Sequence, residues 1–259
     1  MSPTSKQLDV LLTPAEFAAL GKRDLRETVC VVFDVLRATS TFATALQNGA
    51  KEIIPVGEIS EALAFKNSEF GIQNSEFILL GGERNGVRIS VNGIDFDLGN
   101  SPREYLPEKV RGKTIVSTTT NGTRALRACA NAKIILAASF LNLTATAEFL
   151  RQNNFADILL VCAGTRENAA LEDTLAAGAM CELLADGNIH TTFSTSAEIA
   201  LQTYTQSKSD LVATIIRDSE NARRLLAIPE LRDDVAFCLQ RDLYPLIAKM
   251  EAGGGIRRN

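Results

Sequence analysis

Short apolar runs rich in β-branched residues alternate along this chain with stretches whose apolar residues fall three and four apart, and that alternation leaves few folds open. The runs are Thr28 to Phe33, Glu52 to Val56, Phe77 to Leu80, Thr114 to Ser117, Lys133 to Ala137, Asp157 to Cys162 and Val235 to Leu239. Between them, Leu126, Cys129 and Ala130 mark one helix, and Leu175, Ala176, Ala179, Met180 and Leu183 mark another. Strands joined by helices in this way predict a three-layer α/β/α fold with a largely parallel or mixed sheet. A longer helical stretch, roughly Ser196 to Ile228, interrupts the rhythm and predicts a helical C-terminal subdomain. Its buried face is expected at Leu211, Val212, Ile215 and Ile216. With 259 residues, 46% of them hydrophobic, the chain can bury a sizeable core. It reads as a single domain over 1–259 or as two intimately packed lobes, about 1–130 and 131–259.

Lys and Arg number 27 against 31 Asp and Glu, a net charge of −4, and no basic stripe interleaves with aromatics. Nucleic-acid binding is therefore not expected. No apolar run approaches the length that spans a bilayer, and the first residues lack a basic segment followed by an apolar one, so a cytoplasmic protein with no membrane partner is expected. Five cysteines at scattered spacings read as reduced core residues. The string Asn67-Ser68-Glu69-Phe70 recurs as Asn74-Ser75-Glu76-Phe77, a tandem duplication best placed in a tolerated loop between helix and strand. Gly253-Gly254-Gly255 followed by Ile256-Arg257-Arg258 reads as a frayed tail.

The chemistry-bearing residues collect in the polar loops that follow the strands. After Thr28 to Phe33 comes Asp34-Val35-Leu36-Arg37-Ala38-Thr39-Ser40-Thr41, a carboxylate, a guanidinium and three hydroxyls at a helix start. Strand ends of an open α/β sheet collect ligands, and uncapped N–H groups of the next helix favour an anion there. Ser117-Thr118-Thr119-Thr120-Asn121-Gly122-Thr123-Arg124 repeats the design, and Gly122 permits close approach of backbone to a ligand. A plain helix cap would look the same. Gly81-Gly82-Glu83-Arg84-Asn85-Gly86 suits an anion or an exposed turn equally. Asp95 to Pro102 alone is a turn-rich loop. Glu172-Asp173 opens a helix after Cys162 to Arg166, where acidic residues either answer the helix dipole or supply hard oxygens to magnesium.

Taken in order, the Asp34 to Thr41 string, Gly82-Glu83-Arg84, Phe96-Asp97-Leu98-Gly99-Asn100-Ser101-Pro102, Thr119-Thr120-Asn121-Gly122-Thr123 and Glu172-Asp173 resemble the 2-phosphosulfolactate phosphatases, the ComB-type enzymes of the coenzyme M pathway. The likeness runs over roughly Val29 to Cys238. It implies a three-layer α/β/α fold and a magnesium-dependent phosphatase that cleaves 2-phospho-3-sulfolactate to sulfolactate and phosphate. It is also compatible with a homodimer. This chain departs from the family pattern where Ile94-Asp95 separates Gly93 from Phe96.

Known phosphatase strategies narrow the roles. Leu36 stands where a haloacid-dehalogenase nucleophile motif needs its second Asp. Cys162 and Arg166 are too close for a cysteine-phosphatase loop. The single histidine, His190, makes a phosphohistidine or a His-rich metal centre a poor fit and reads as structural. Metal-assisted hydrolysis remains. Asp34, with Glu172 or Asp173, is assigned to Mg2+, and Asp34, Arg37 and Glu172 to the chemistry. Ser40, Thr41, Asn121, Gly122 and Thr123 are assigned to phosphate, with Asn100, Ser101 and Thr120 as further substrate contacts. Arg84 and Arg124 are assigned to the sulfonate and carboxylate of the substrate, where a guanidinium fork matches the anion. Asp34 as a covalent nucleophile stays open. So do a phosphatase for another small acidic phosphoester and a non-catalytic phosphate or nucleotide binder. Asp234, with Phe237 and Cys238, is compatible with a strand end near the site, but an Asp that starts a strand after a helix reads first as a turn residue, here ahead of the Val235 to Leu239 strand.

Overall fold

Along Thr28–Phe33 successive side chains point to opposite faces and nearly all of them are buried. Val29, Val31 and Phe33 pack on one side with Leu143, Ala147, Leu175 and Ala197, whereas Cys30 and Val32 pack on the other with Ala38, Phe42, Ala125 and Leu126. A strand covered on both faces must lie in the middle layer of three. The computed structural model describes residues 6–68, 73, 75–153, 155–185 and 191–259. Its strands are β1 (Lys6–Leu11), β2 (Thr28–Phe33), β3 (Glu52–Pro55), β4 (Ile78–Arg84), β5 (Val87–Arg88), β6 (Ser90–Val91), β7 (Ile94–Asp95), β8 (Thr114–Thr118), β9 (Ile134–Ala138), β10 (Asp157–Cys162), β11 (Thr191–Phe193), β12 (Ala248–Met250) and β13 (Ile256–Arg258).

The sheet runs β11-β1-β10-β2-β9-β12-β13-β3-β8-β4-β5, and β6 with β7 forms a separate small hairpin. Two parallel blocks, β11-β1-β10-β2-β9 and β3-β8-β4, are joined by the antiparallel pair β12 and β13. The fold is thus the expected mixed α/β architecture with helices on both faces of a mostly parallel sheet. Among the described residues no helix is long and apolar enough to cross a membrane, and all five cysteines are buried and free.

β2 and β8 have four strands between them, which on a flat sheet would separate them by about 24 Å. Yet an ideal Cβ on Gly122, just past β8, would stand 2.5 Å from Asp34 Oδ2, just past β2. The sheet therefore curls strongly, and the Ala38–Gln47 and Gly122–Ala128 helices share its inner face. That curvature, from the right-handed twist of successive strands, brings the ends of β2, β10, β8 and β4 to one place.

Four sequence expectations change. Val235 to Leu239 lies not in a strand but in the Arg232–Cys238 helix and its cap. Val235, Cys238 and Leu239 are the buried positions, at helical spacing, and Asp233 and Asp234 sit in the first turn, where the helix dipole favours them. The tail read as frayed is β13, paired with both β12 and β3, because Gly254 takes a left-handed turn (φ +81°) that folds Ile256 back to full burial. The 196–228 stretch breaks into helices Thr195–Ser207, Leu211–Asp218 and Glu220–Leu226. Ile215 is buried there, but Val212 and Ile216 are exposed, so the apolar face is narrower than expected. Strand β1 was not anticipated. Of the tandem duplication, residues 69–72 and 74, like His190, lie outside the described residues.

Because Ile256 anchors the pair that joins the two parallel blocks, Ile256→Ala should destabilise the protein by about 2–5 kcal/mol in urea unfolding. A loss below about 0.5 kcal/mol would match a frayed tail instead.

Candidate active site

Asp34 follows the last residue of β2 and is fixed from its own loop. Its Oδ1 accepts the Ala38 N–H at 3.1 Å, its main-chain carbonyl accepts the Thr39 N–H and hydroxyl at 3.0 Å, and its own N–H donates to Thr39 Oγ1 at 3.1 Å. The anion at this helix start is therefore Asp34 itself, so these first N–H groups are not left uncapped for a ligand as the sequence suggested. Gly122 presses against the other oxygen. A Cβ there would meet both Asp34 Oδ2 and the Ala38 methyl, 2.6 Å away, so only glycine lets the two loops close.

Two further carboxylates tie the loop down. Asp173 Oδ1 accepts the Val35 N–H at 2.8 Å and Oδ2 the Gly164 N–H at 3.0 Å, bridging the ends of β2 and β10. Glu172 accepts from Ser219 Oγ at 2.7 Å and Asn221 Nδ2 at 3.1 Å, and the same amide donates to Leu36 O at 3.0 Å. Burial raises the proton affinity of all three groups. Burial is the largest cause in Asp34, taking the pKa to about 7, with Glu83 and Glu172 adding to the rise and the Ala38 N–H and Arg37 opposing it. Asp173 is raised by burial first and then by Glu172 and Asp34. Glu172 is raised by burial, against its hydrogen bonds from Ser219 and Asn221 and the nearby Arg224 charge.

Arg37 lies beyond Leu36, almost wholly buried. Its Nη1 pairs with Asp234 Oδ2 at 2.7 Å and its Nη2 donates to Gly86 O at 2.7 Å. Ser101 Oγ donates to the other Asp234 oxygen at 2.7 Å. Asp234, expected to be a turn residue, is completely buried in the helix that replaced the expected strand, and it fixes a residue assigned to the chemistry. Glu83 holds the opposite wall, accepting the Gly86 N–H at 2.7 Å and the Thr120 N–H and hydroxyl at 2.8 and 2.9 Å.

These loops enclose a cleft of about 50 Å³, partly open to solvent, lined by Asp34, Arg37, Glu83, Asn100, Thr120, Asn121, Asn221 and Arg224 among others. The structure brings Asp34, Arg37, Asn100, Thr120 and Asn121 together as expected, with Gly122 against Asp34. The remaining expected hydroxyls serve the scaffold. Ser40 donates to Val35 O at 2.8 Å, Thr41 to Asn100 O at 2.8 Å, and Thr123 exchanges bonds with Thr119 at the helix start. Neither Arg84 nor Arg124 lines the cleft. Arg84 donates to Glu83 O and Thr118 Oγ1, and Arg124 pairs at 3.5 Å with the exposed Glu167. Glu83, Asn221, Arg224 and Asp234 are the site residues the sequence reading missed. Asn221 and Arg224 carried one legible signal, polar residues one helical turn apart behind a Ser N-cap.

Among the described residues no three His, Cys, Asp or Glu side chains converge as a cation site. The donors that do face the cleft are hard oxygens. Asn121 Nδ2 donates to the carbonyls of Ala163, Gly164 and Arg166, which fixes the amide and leaves buried Oδ1 without a partner among the described residues. Asn100 Oδ1 and Thr165 Oγ1 are buried and unpartnered in the same way. One carboxylate with neutral oxygens suits magnesium, which keeps several waters and takes the rest of its shell from one or two carboxylates and substrate phosphate.

Comparison with known proteins gives the chain a family. Residues 16–253 match the family model described as 2-phosphosulpholactate phosphatase. A protein of Caldanaerobacter subterraneus subsp. tengcongensis named probable 2-phosphosulfolactate phosphatase is 39% identical over 245 residues, 94% of this chain and 96% of that one. A protein of Thermotoga petrophila with the same name is 43% identical over 223 residues, 86% and 89% of the two chains.

Asp234→Ala should cost about 3–5 kcal/mol in urea unfolding, because it strands the Arg37 guanidinium in a buried place. Asp233→Ala, one residue earlier and exposed, should cost under about 0.5 kcal/mol. Equal effects would mean that the buried pair does not hold the cleft.

Proposed function

This chain belongs to the 2-phosphosulpholactate phosphatase family, and on that premise we propose that it hydrolyses 2-phospho-3-sulfolactate to 3-sulfolactate and inorganic phosphate with Mg2+. One observation carries the reading. Asp34, a buried carboxylate of raised proton affinity, faces the same cleft as the fixed guanidinium of Arg37. Phosphoryl transfer asks a protein mainly to position the ester and to offset charge on its equatorial oxygens.

The residues divide that work. Arg37 spends one Nη contact on Asp234 and one on Gly86 O, which locks its plane and leaves Nε and further Nη hydrogens for phosphate oxygens. Thr120 and Asn121 face the cleft from the β8 loop, where they would border the transferred phosphoryl group. Asp34, with the side-chain oxygens of Asn100 and Asn121, would hold the magnesium ion. That ion supplies charge neutralisation at the phosphoryl group and a more acidic bound water. Glu172 and Asp173, assigned to the metal from sequence, act instead as positioning residues, since their oxygens are engaged by Ser219, Asn221 and the N–H groups of Val35 and Gly164. Asp34 must shed a proton to bind a cation, so magnesium affinity should weaken below about pH 7.

Phosphate release with Mg2+ should rank phosphosulfolactate above p-nitrophenyl phosphate in kcat/KM. A chelator should stop the reaction, and Asp34→Asn should lower kcat/KM at least about 100-fold. Chelator-resistant turnover would contradict the metal assignment. A substrate order with phosphosulfolactate no better than ordinary phosphoesters would point to a different phosphoester.

A further inference from the structure

Three guanidinium groups line the cleft, those of Arg37, Arg166 and Arg224. Arg37 is held by Asp234 and Gly86, and Arg166 is largely exposed and pairs with Glu220 at 3.3 Å. Arg224 differs from both. Its Nη2 donates to Asn221 Oδ1 at 2.6 Å, while its Nε is buried and has no partner among the described residues. A buried N–H without an acceptor is costly and seldom left so.

The Asn221 amide is itself clamped, since its Nδ2 donates to both Leu36 O and Glu172 Oε1. Its Oδ1 is therefore aimed, and through it the Arg224 guanidinium is set in one orientation before any ligand arrives. A guanidinium oriented in this way, with a bare Nε and free Nη hydrogens, matches a carboxylate or sulfonate. It enters from the Glu172 side of the cleft, whereas Arg37 enters from the Asp234 side. The two cations thus approach a bound molecule from different elements, one suited to the phosphate and one to a second charge.

We propose that Arg224, positioned by Asn221, determines specificity by binding a second anionic group, a carboxylate or sulfonate, on the alcohol part of the phosphoester. This rests on the phosphatase reading above and replaces Arg84 and Arg124 in the role the sequence gave them.

The test compares 2-phospholactate with isopropyl phosphate, which has the same skeleton but a methyl in place of the carboxylate. The wild-type ratio of kcat/KM values should fall about 10- to 100-fold in Arg224→Gln and by an intermediate factor in Arg224→Lys, which keeps the charge but not the fork. An unchanged ratio, with both substrates losing equally, would overturn the proposal and leave Arg224 a structural support for Asn221 and Glu172. Binding of 3-sulfolactate, which has both acidic groups and no phosphoester, gives a readout independent of turnover. It should raise the melting temperature of the wild type and raise that of Arg224→Gln by less than half as much. Equal shifts, or no shift in the wild type, would also overturn the proposal. If the wild type releases no phosphate, the phosphatase reading falls while the sulfolactate shift still decides the role of Arg224.

Discussion

The cleft depends on holding a carboxylate, Asp34, at the meeting point of two loops that leave strands far apart in the sheet. Burial alone would expel or neutralise such a group. It stays because the Ala38 N–H binds one oxygen and because Gly122 lets the β8 loop close over the other. The curled sheet makes that meeting geometrically possible, and the β12–β13 pair that joins its two parallel blocks makes the sheet continuous. Fold and site are therefore one problem.

Around Asp34 the chain uses most of its acidic groups as fasteners rather than as reagents. Asp173 fastens β2 to β10, Glu172 fastens the loop to the Glu220–Leu226 helix, Glu83 fastens the β4 turn to Thr120, and Asp234 fastens Arg37. Buried carboxylates bonded in this way add little net stability compared with apolar packing, but removing one strands its partner. Their value lies in fixing the direction of Asp34, Arg37 and Arg224, on which an electrostatic site depends.

The central strands were legible because each is buried on both faces and so shows as an uninterrupted apolar run. Asp157–Cys162 appears in the structure with the bounds read from sequence, Thr114–Thr118 differs by a residue at one end, and Ile134–Ala138 differs by a residue at each end. The Arg232–Cys238 helix was misread because a five-residue apolar stretch carries too little periodicity to separate strand from helix. The C-terminal strand was hidden behind three glycines whose turn only tertiary pairing explains. At the site, loop composition located Asp34, Arg37 and Asn121 because these residues sit directly after strands. It failed for Arg84 and Arg124, since the side of a loop on which a long cation emerges is set by its neighbours. It also failed for Asp234 and Arg224, which come to the cleft across 197 residues of sequence separation in one case and from within an apparently continuous helix in the other.

The most direct measurement is anomalous diffraction from crystals grown with Mn2+ in place of Mg2+ and with orthovanadate as a phosphoryl mimic. A single metal peak is expected on the Asp34 carboxylate, with the vanadate oxygens within hydrogen-bond distance of Arg37. A peak on Glu172 and Asp173 with Asp34 free, or vanadate bound outside the cleft, would contradict it.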